Sequence, residues 1–226
     1  MAVSLSALCS CSVDDRIKEL SASISGRLVD VNTGENVPVE FSTASILLGD
    51  NGFNPLQPVS YYIYPDGTFS NSKVYPGNYE VYALGGFAQV DTLHNFDISG
   101  KVELEIKVLP NVTLKASDIS VSSNGKCKVI VEYAVNCDAS NLELSVLWSE
   151  IPYPGAVTAA IDDNSTLPNH QKKYAVSGKT GKSTLMTGAL KDGVTYYVRV
   201  GAKPQGSDYW NYTAQYKVTK EGVVNE

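Results

Sequence analysis

Histidine is nearly missing from this chain of 226 residues, and the scarcity bounds its chemistry. His94 and His170 lie far apart in sequence, which leaves no histidine-rich metal site. No His-Glu-x-x-His pair and no Gly-x-Ser-x-Gly elbow occurs, so the common zinc-hydrolase and serine-hydrolase frames are missing as well. A glycosidase-type pair of carboxylates stays open, because two separate strands can supply it without any local spacing. No apolar run approaches the ~20 residues that a membrane-crossing helix needs. Basic clusters are few, limited to Lys172-Lys173 and to Lys179 with Lys182, and 18 Lys and Arg are set against 24 Asp and Glu. With a formal net charge of −6, the chain has no basic surface to follow a phosphate backbone, and nucleic acid is not expected as a partner.

Cysteine is sparse too. Cys127 and Cys137 flank the run Lys128 to Val135, which alternates like a strand. Extended at about 3.3 Å per residue, that run separates its ends by ~30 Å, whereas a disulfide needs Cα atoms roughly 5.5 Å apart. Both thiols are expected to be free. Neither the paired Cys-x-x-Cys nor the Cys/His spacing of a zinc site is present. The expectation is a non-enzyme with no catalytic residues, no cofactor and no metal.

What the chain has in quantity is strand signal. Its 14 tyrosines outnumber its 5 phenylalanines, as befits half-exposed strands that keep a polar tip. Ser23 to Asp30 alternates and closes on the turn Asn32-Thr33-Gly34. Val37 to Phe41, Ala44 to Leu48, Val59 to Tyr64, Phe69 onward, the end of Val74 to Ala83, and Val102 to Val108 follow as strands. Among their turns is Pro65-Asp66-Gly67-Thr68, where proline presets φ and glycine accepts a positive one. From Asn111 the pattern restarts, with candidates at 114–121, 127–135, 142–148, 173–176, 184–190, 196–202 and 212–218. So many short strands with regular turn signals predict an all-β fold of two tandem β-sandwiches, 23–110 and 111–221. Residues 1–22 precede them. The run Ser177 to Thr184 has the lysine and glycines of a phosphate loop, but Val176 stands where its first glycine belongs and strands lie on both sides. It reads as a hairpin turn.

Three stretches carry resemblances. Gly26-Arg27-Leu28-Val29-Asp30 with Thr33-Gly34-Glu35, then Pro65 to Phe69, then Pro76-Gly77-Asn78-Tyr79, resemble the carboxypeptidase regulatory-like domain, a transthyretin-like sandwich that itself does no chemistry. Leu190 to Ala202 resembles the E–F corner and F strand of a fibronectin type III domain, which makes Tyr196 the candidate corner tyrosine, bonded to nearby backbone. Leu8-Cys9-Ser10-Cys11 resembles a bacterial lipobox, although no Lys or Arg precedes Cys11 as a secretory n-region would have it. Ser12-Val13-Asp14-Asp15 is similar to the acidic export signal of Bacteroidetes surface lipoproteins.

The combination resembles small two-domain Bacteroidetes surface lipoproteins, domains of unknown function typically encoded beside SusC/SusD-like outer-membrane glycan-uptake pairs. That resemblance implies lipidation at Cys11, a tether to residue 22, and an outer-membrane location facing the cell exterior with the lipid as sole membrane contact. It implies a non-catalytic role in glycan capture or uptake, with an oligosaccharide or polysaccharide, or a SusC/SusD-like complex, as partner. A fimbrial or adhesion subunit is the alternative.

A sugar ring asks for a flat aromatic face beside hydrogen-bonding side chains. Asp208, Tyr209, Trp210 and Asn211 meet that description and are the candidate carbohydrate-binding residues, in the predicted F–G loop beside Asp138 to Asn141. Trp148 ends an alternating apolar run and is assigned to the core. In Tyr61 to Tyr64, Tyr62 and Tyr64 share a face with Ser60, and either face could be the buried one.

Overall fold

In the computed structural model, which describes residues 19–159 and 169–224, all the regular elements of the described residues are strands. Cys11 and the rest of the lipobox lie outside them. The first sandwich holds β1 (Ala22–Asp30), β2 (Ser45–Asp50), β3 (Val59–Tyr62), β4 (Thr68–Val74), β5 (Gly77–Leu84), β6 (Phe87–Gln89), β7 (Leu93–Ile98) and β8 (Lys101–Pro110). One sheet runs β4-β1-β8-β6 and the other β3-β2-β5-β7. β1 is antiparallel to β4 and parallel to β8. Gly26 in β1 lies opposite both Phe69 and Leu104, and it must be glycine: a Cβ there would sit 2.0 Å from the Leu104 carbonyl oxygen and 2.7 Å from Phe69 Cζ. The alternation read from the sequence points Ile24, Leu28, Ile46, Leu48, Ile106 and Val108 inward, all at most 2% exposed. Each contributes about 1.5–3 kcal/mol by leaving water.

The expected strand at Val37 to Phe41 forms no ladder, and Phe41 already lies in a turn, where Thr43 N donates to Glu40 O at 3.1 Å. Pro38 has no N–H to give, so the segment is held at single points, Val37 N donating to Leu28 O and Val39 N to Pro65 O, each at 3.1 Å. Val37 and Val39 enter the first core, and Glu40 is buried. β6 and β7 went unread in the sequence, since Leu93-His94-Asn95-Phe96-Asp97-Ile98 is an edge strand with too many polar residues to alternate cleanly.

The second sandwich holds β9 (Val112–Val121), β10 (Lys126–Val135), β11 (Asn141–Ser149), β12 (Asn169–Ser177), β13 (Thr180–Ala189), β14 (Tyr196–Pro204), β15 (Asn211–Tyr212), β16 (Tyr216–Thr219) and β17 (Gly222–Val223). Its sheets run β13-β10-β9 and β12-β11-β14-β16-β17, with β15 also on β14. The first, second and fifth strands of this sandwich thus form one sheet, and the third, fourth and sixth to ninth form the other. The expected hairpin at Gly178 is corrected by this pairing. β12 pairs with β11 while β13 pairs with β10, so the turn, with Gly178 at φ 106°, crosses from one sheet to the other. Sequence alternation identifies strands but not their partners. Cys127 is buried, Cys137 is half-buried, and both are free. Trp148 is 3% exposed in the second core and stacks on His170 at 5.4 Å between ring centroids. Tyr196 is also buried there. A corner-type bond is made in the first sandwich by Tyr79, whose hydroxyl donates to Tyr75 O, four residues upstream, at 2.7 Å.

The last long strand expected, 212–218, is interrupted. Thr213 N donates to Val200 O at 2.9 Å while its own hydroxyl accepts from Val200 N at 3.0 Å. The side chain replaces one rung of the ladder, and the chain bends between β15 and β16.

Candidate ligand groove between the sandwiches

β8 ends at Pro110 and β9 begins at Val112, so one residue, Asn111, joins the two sandwiches. The joint is closed from the far end of the chain. Asn211 accepts from Val112 N through Oδ1 at 2.9 Å and donates through Nδ2 to Gly86 O at 2.8 Å. Asn111 N donates to the same Gly86 oxygen at 2.9 Å.

Deeper in the joint lies a charged network. Arg199 in β14 is 1% exposed. Its Nε donates to Pro154 O at 2.6 Å, its Nη1 to Val39 O at 3.2 Å, and its guanidinium lies 3.8 Å over the Tyr212 ring. The Tyr212 hydroxyl donates to one Glu40 oxygen, and Val157 N donates to the other at 3.0 Å. Gly155 is required beside this carboxylate, since a Cβ there would lie 2.1 Å from Glu40 Oε1. Among the described residues Nη2 of Arg199 is the buried side-chain nitrogen with no partner.

Above this network a groove of about 760 Å³ opens between the sandwiches, lined by Arg27, Asp66, Tyr153, Arg199, Gln215 and Tyr216 among others. It continues into a hollow of about 570 Å³, with Asn36, Pro38, Thr213 and Tyr216 forming part of both walls. Such volumes, at a domain junction, are those of small-molecule sites. Arg27 is fixed by Glu105 and by Asn36, to whose Oδ1 its Nη1 donates at 3.0 Å. Tyr153 is held at φ 59°, a region that L residues seldom adopt, and its N–H donates to Gln215 Oε1 at 2.7 Å. Phenol rings, amides and a carboxylate line one concave surface, an arrangement suited to binding a polyhydroxylated ligand.

Burial sets the titration of this region. It pulls Arg199 down to about 10 and pushes Tyr212 up, the latter with help from Glu40. Burial also raises Tyr79 from 10.0 to about 12, Cys127 from 9.0 to about 11, and Tyr61 and Tyr216 upward. The folded chain keeps those thiol and phenol protons at pH values where the unfolded chain has released them, so stability falls as pH rises from about 9. Arg199 acts in the opposite sense only above about 10. Urea midpoints measured from pH 8 to 11 are expected to decline steadily beyond pH 9, and a flat profile would contradict these shifts.

The four residues proposed from sequence do not form one platform. Asp208 is exposed and Tyr209 is 39% exposed, but Trp210 is 7% and Asn211 4% exposed. The cause is Gly201 in β14, whose missing side chain leaves a depression: a Cβ there would lie 3.1 Å from Trp210 Cε3 and 2.9 Å from Tyr212 Cε1. The indole fills it, stacked near Tyr212 and flanked by the Lys173 and Lys203 ammoniums at 5.7 and 5.6 Å. Asn211 is the staple of the joint. The open question at Tyr61 to Tyr64 is answered: Ile63 is fully buried, Tyr62 and Tyr64 face solvent with Ser60, and Phe41 lies 5.7 Å from Tyr62. His94 rests its Nδ1 on the Glu80 carboxylate as a surface pair, which holds Glu80 below its ordinary value, with a further bond from Asn95 N. Sequence reasoning missed Tyr153, Arg199, Gln215 and Tyr216. Arg199 alone carried a signal, a charge inside the apolar strand Tyr196 to Ala202.

Fold and groove define a tandem β-sandwich protein with a ligand-sized cleft at its joint. Residues 22–109 match the model of the family described as "Protein of unknown function (DUF3823) N-terminal domain". Over 88% of this chain and 99% of the other, the structure is similar to that of a "putative carbohydrate binding protein" from Bacteroides uniformis, at 20% identity and a TM-score of 0.70. A DUF3823 family protein from Bacteroides ovatus aligns over 88% of this chain and 99% of its own at 18% identity and a TM-score of 0.65. Another from Parabacteroides merdae covers 86% and 96% at 17% identity and a TM-score of 0.66. At these identities the likeness establishes a shared fold across both sandwiches. No curated protein matches the chain.

Proposed function

We propose that this chain is a non-catalytic surface lipoprotein that assists glycan capture at the outer membrane, with the groove between the sandwiches as the glycan seat. The observation that carries this reading is the pairing of Tyr153 and Tyr216 with Asn36, Asp66 and Gln215 in one concave wall. Ring faces meet the C–H face of a sugar while amides and the carboxylate meet its hydroxyls. The Bacteroides uniformis structure of like fold, described as a "putative carbohydrate binding protein", supports the same ligand class. Electrophoresis through polysaccharide gels tests it. Retardation by one or more glycans is expected, weakened about tenfold by Tyr153→Ala or Tyr216→Ala, the equivalent of roughly 1.4 kcal/mol. No retardation by any glycan would remove the seat.

A second reading rests on the exposed rings of Phe41, Tyr62 and Tyr64, an aromatic surface suited to docking on a SusC/SusD-like complex. Co-purification with such a complex, lost on Tyr62→Asp but kept by the groove variants, would favour it. The anchor at Cys11 belongs to both readings. Labelled palmitate is expected to enter the chain and to be absent from Cys11→Ser; equal labelling of the two would dismiss the lipobox.

A further inference from the structure

We infer that the groove takes a glycan bearing carboxylates, a uronic-acid polymer or its oligosaccharides, and that Arg199 selects it. This deepens the reading of the groove as a glycan seat and rests on it. Arginine carries five N–H donors and is almost never fully buried unless paired. Arg199 places Nε and Nη1 on two backbone carbonyls, and Nη2, with two further donors, meets no acceptor among the described residues. Glu40 meets the Arg199 charge across the Tyr212 ring, without an ion pair among the described residues. Glu40 commits one oxygen to the Tyr212 hydroxyl and the other to Val157 N, and it reaches Arg199 only through the intervening tyrosine. Among the described residues the other buried side-chain nitrogens and oxygens have partners, so the two open donors of this wall residue stand out, and a carboxylate is the acceptor that matches a guanidinium edge.

The lining of the groove carries both signs of charge, and because Arg27 is already paired with Glu105, Arg199 is the cation at its wall whose guanidinium keeps an open edge. Asn36 and Gln215 then supply bonding for neutral hydroxyls. With only 1% of Arg199 exposed, a carboxylate reaches Nη2 by displacing part of the wall. Tyr153, held at positive φ and tied to Gln215, is the lining residue with conformational strain to release.

The test compares polygalacturonate, alginate and hyaluronan with the carboxyl-reduced form of each, in affinity electrophoresis of the unaltered chain. At least one uronate polymer is expected to bind tenfold or more tightly than its reduced form. Arg199→Gln, its fold checked by near-ultraviolet circular dichroism, is expected to erase that difference while leaving residual retardation. Should this variant fail to fold, the comparison of native and reduced polymers on the unaltered chain decides alone. Equal retardation by both forms, or retardation by neutral polysaccharides only, overturns acid selection and leaves the glycan seat standing. Retardation by nothing overturns both. Binding of a peptide carboxylate in place of every polysaccharide overturns the sugar as its source.

Discussion

Glu40→Ala is expected to remove about 3–5 kcal/mol of stability, the loss typical when one member of a buried charged network is deleted. Three groups lose at once. The buried Tyr212 hydroxyl and the part-buried Val157 N lose their acceptor, and the Arg199 cation loses the carboxylate that faces it through Tyr212. With ordinary domains stable by only 5–15 kcal/mol, this is a large share. Glu40→Gln keeps the shape and an acceptor oxygen, and is expected to cost about half as much. The discriminating variant is Glu40→Ala combined with Arg199→Met. Removing the cation as well takes away the uncompensated charge, so the pair is expected to cost less than the sum of the single changes. Urea unfolding at pH 7 reads all four chains. A Glu40→Ala cost below about 1 kcal/mol would mean that the network carries no load.

Gly26→Ala is expected to be nearly as damaging, at about 3 kcal/mol or more, beyond the usual range for one added methyl group. The added Cβ would stand 2.0 Å from the Leu104 carbonyl oxygen, which is backbone and cannot swing aside. β1 and β8 would have to part along a parallel ladder that runs from Ser23 opposite Lys101 to Asp30 opposite Val108. Phe69 is the easier of the two clashes, because a ring can turn. Adding Phe69→Leu to Gly26→Ala is therefore expected to restore little. The melting temperature should drop by ~10 °C or more, given several degrees per kcal/mol in domains of this size. Substantial rescue by Phe69→Leu would place the clash in the ring and not in the ladder.

Much of the fold was legible because burial in a sandwich imposes a period of two, and β8, with its alternation from Lys101 to Pro110, shows it plainly. Cys127 and Cys137 are free as expected, Cys127 lying near the start of β10 and Cys137 just past its end. Partner choice was not legible. Nothing local distinguishes a turn that returns along the same sheet from one that crosses at Gly178, and nothing in Val37 to Phe41 shows that the segment forms no ladder. The groove was less legible still. Asp208 to Asn211 had the right composition for a sugar platform, but the fate of Trp210 was settled by a glycine on another strand. The residues that line the cleft come from positions as far apart as Arg27 and Lys217, and only the packed chain brings them together.

The single residue between β8 and β9, with the Asn211 amide bonded to both sandwiches, leaves the joint almost no slack. The two halves are then held in one relation, so any adaptation of the cleft falls to its wall, as at Tyr153, and not to closure of one sandwich on the other. Such a seat spends little entropy on ordering itself when a ligand arrives. As the proposed glycan seat it would discriminate by size and outline before any hydrogen bond is made, and would stay open for release.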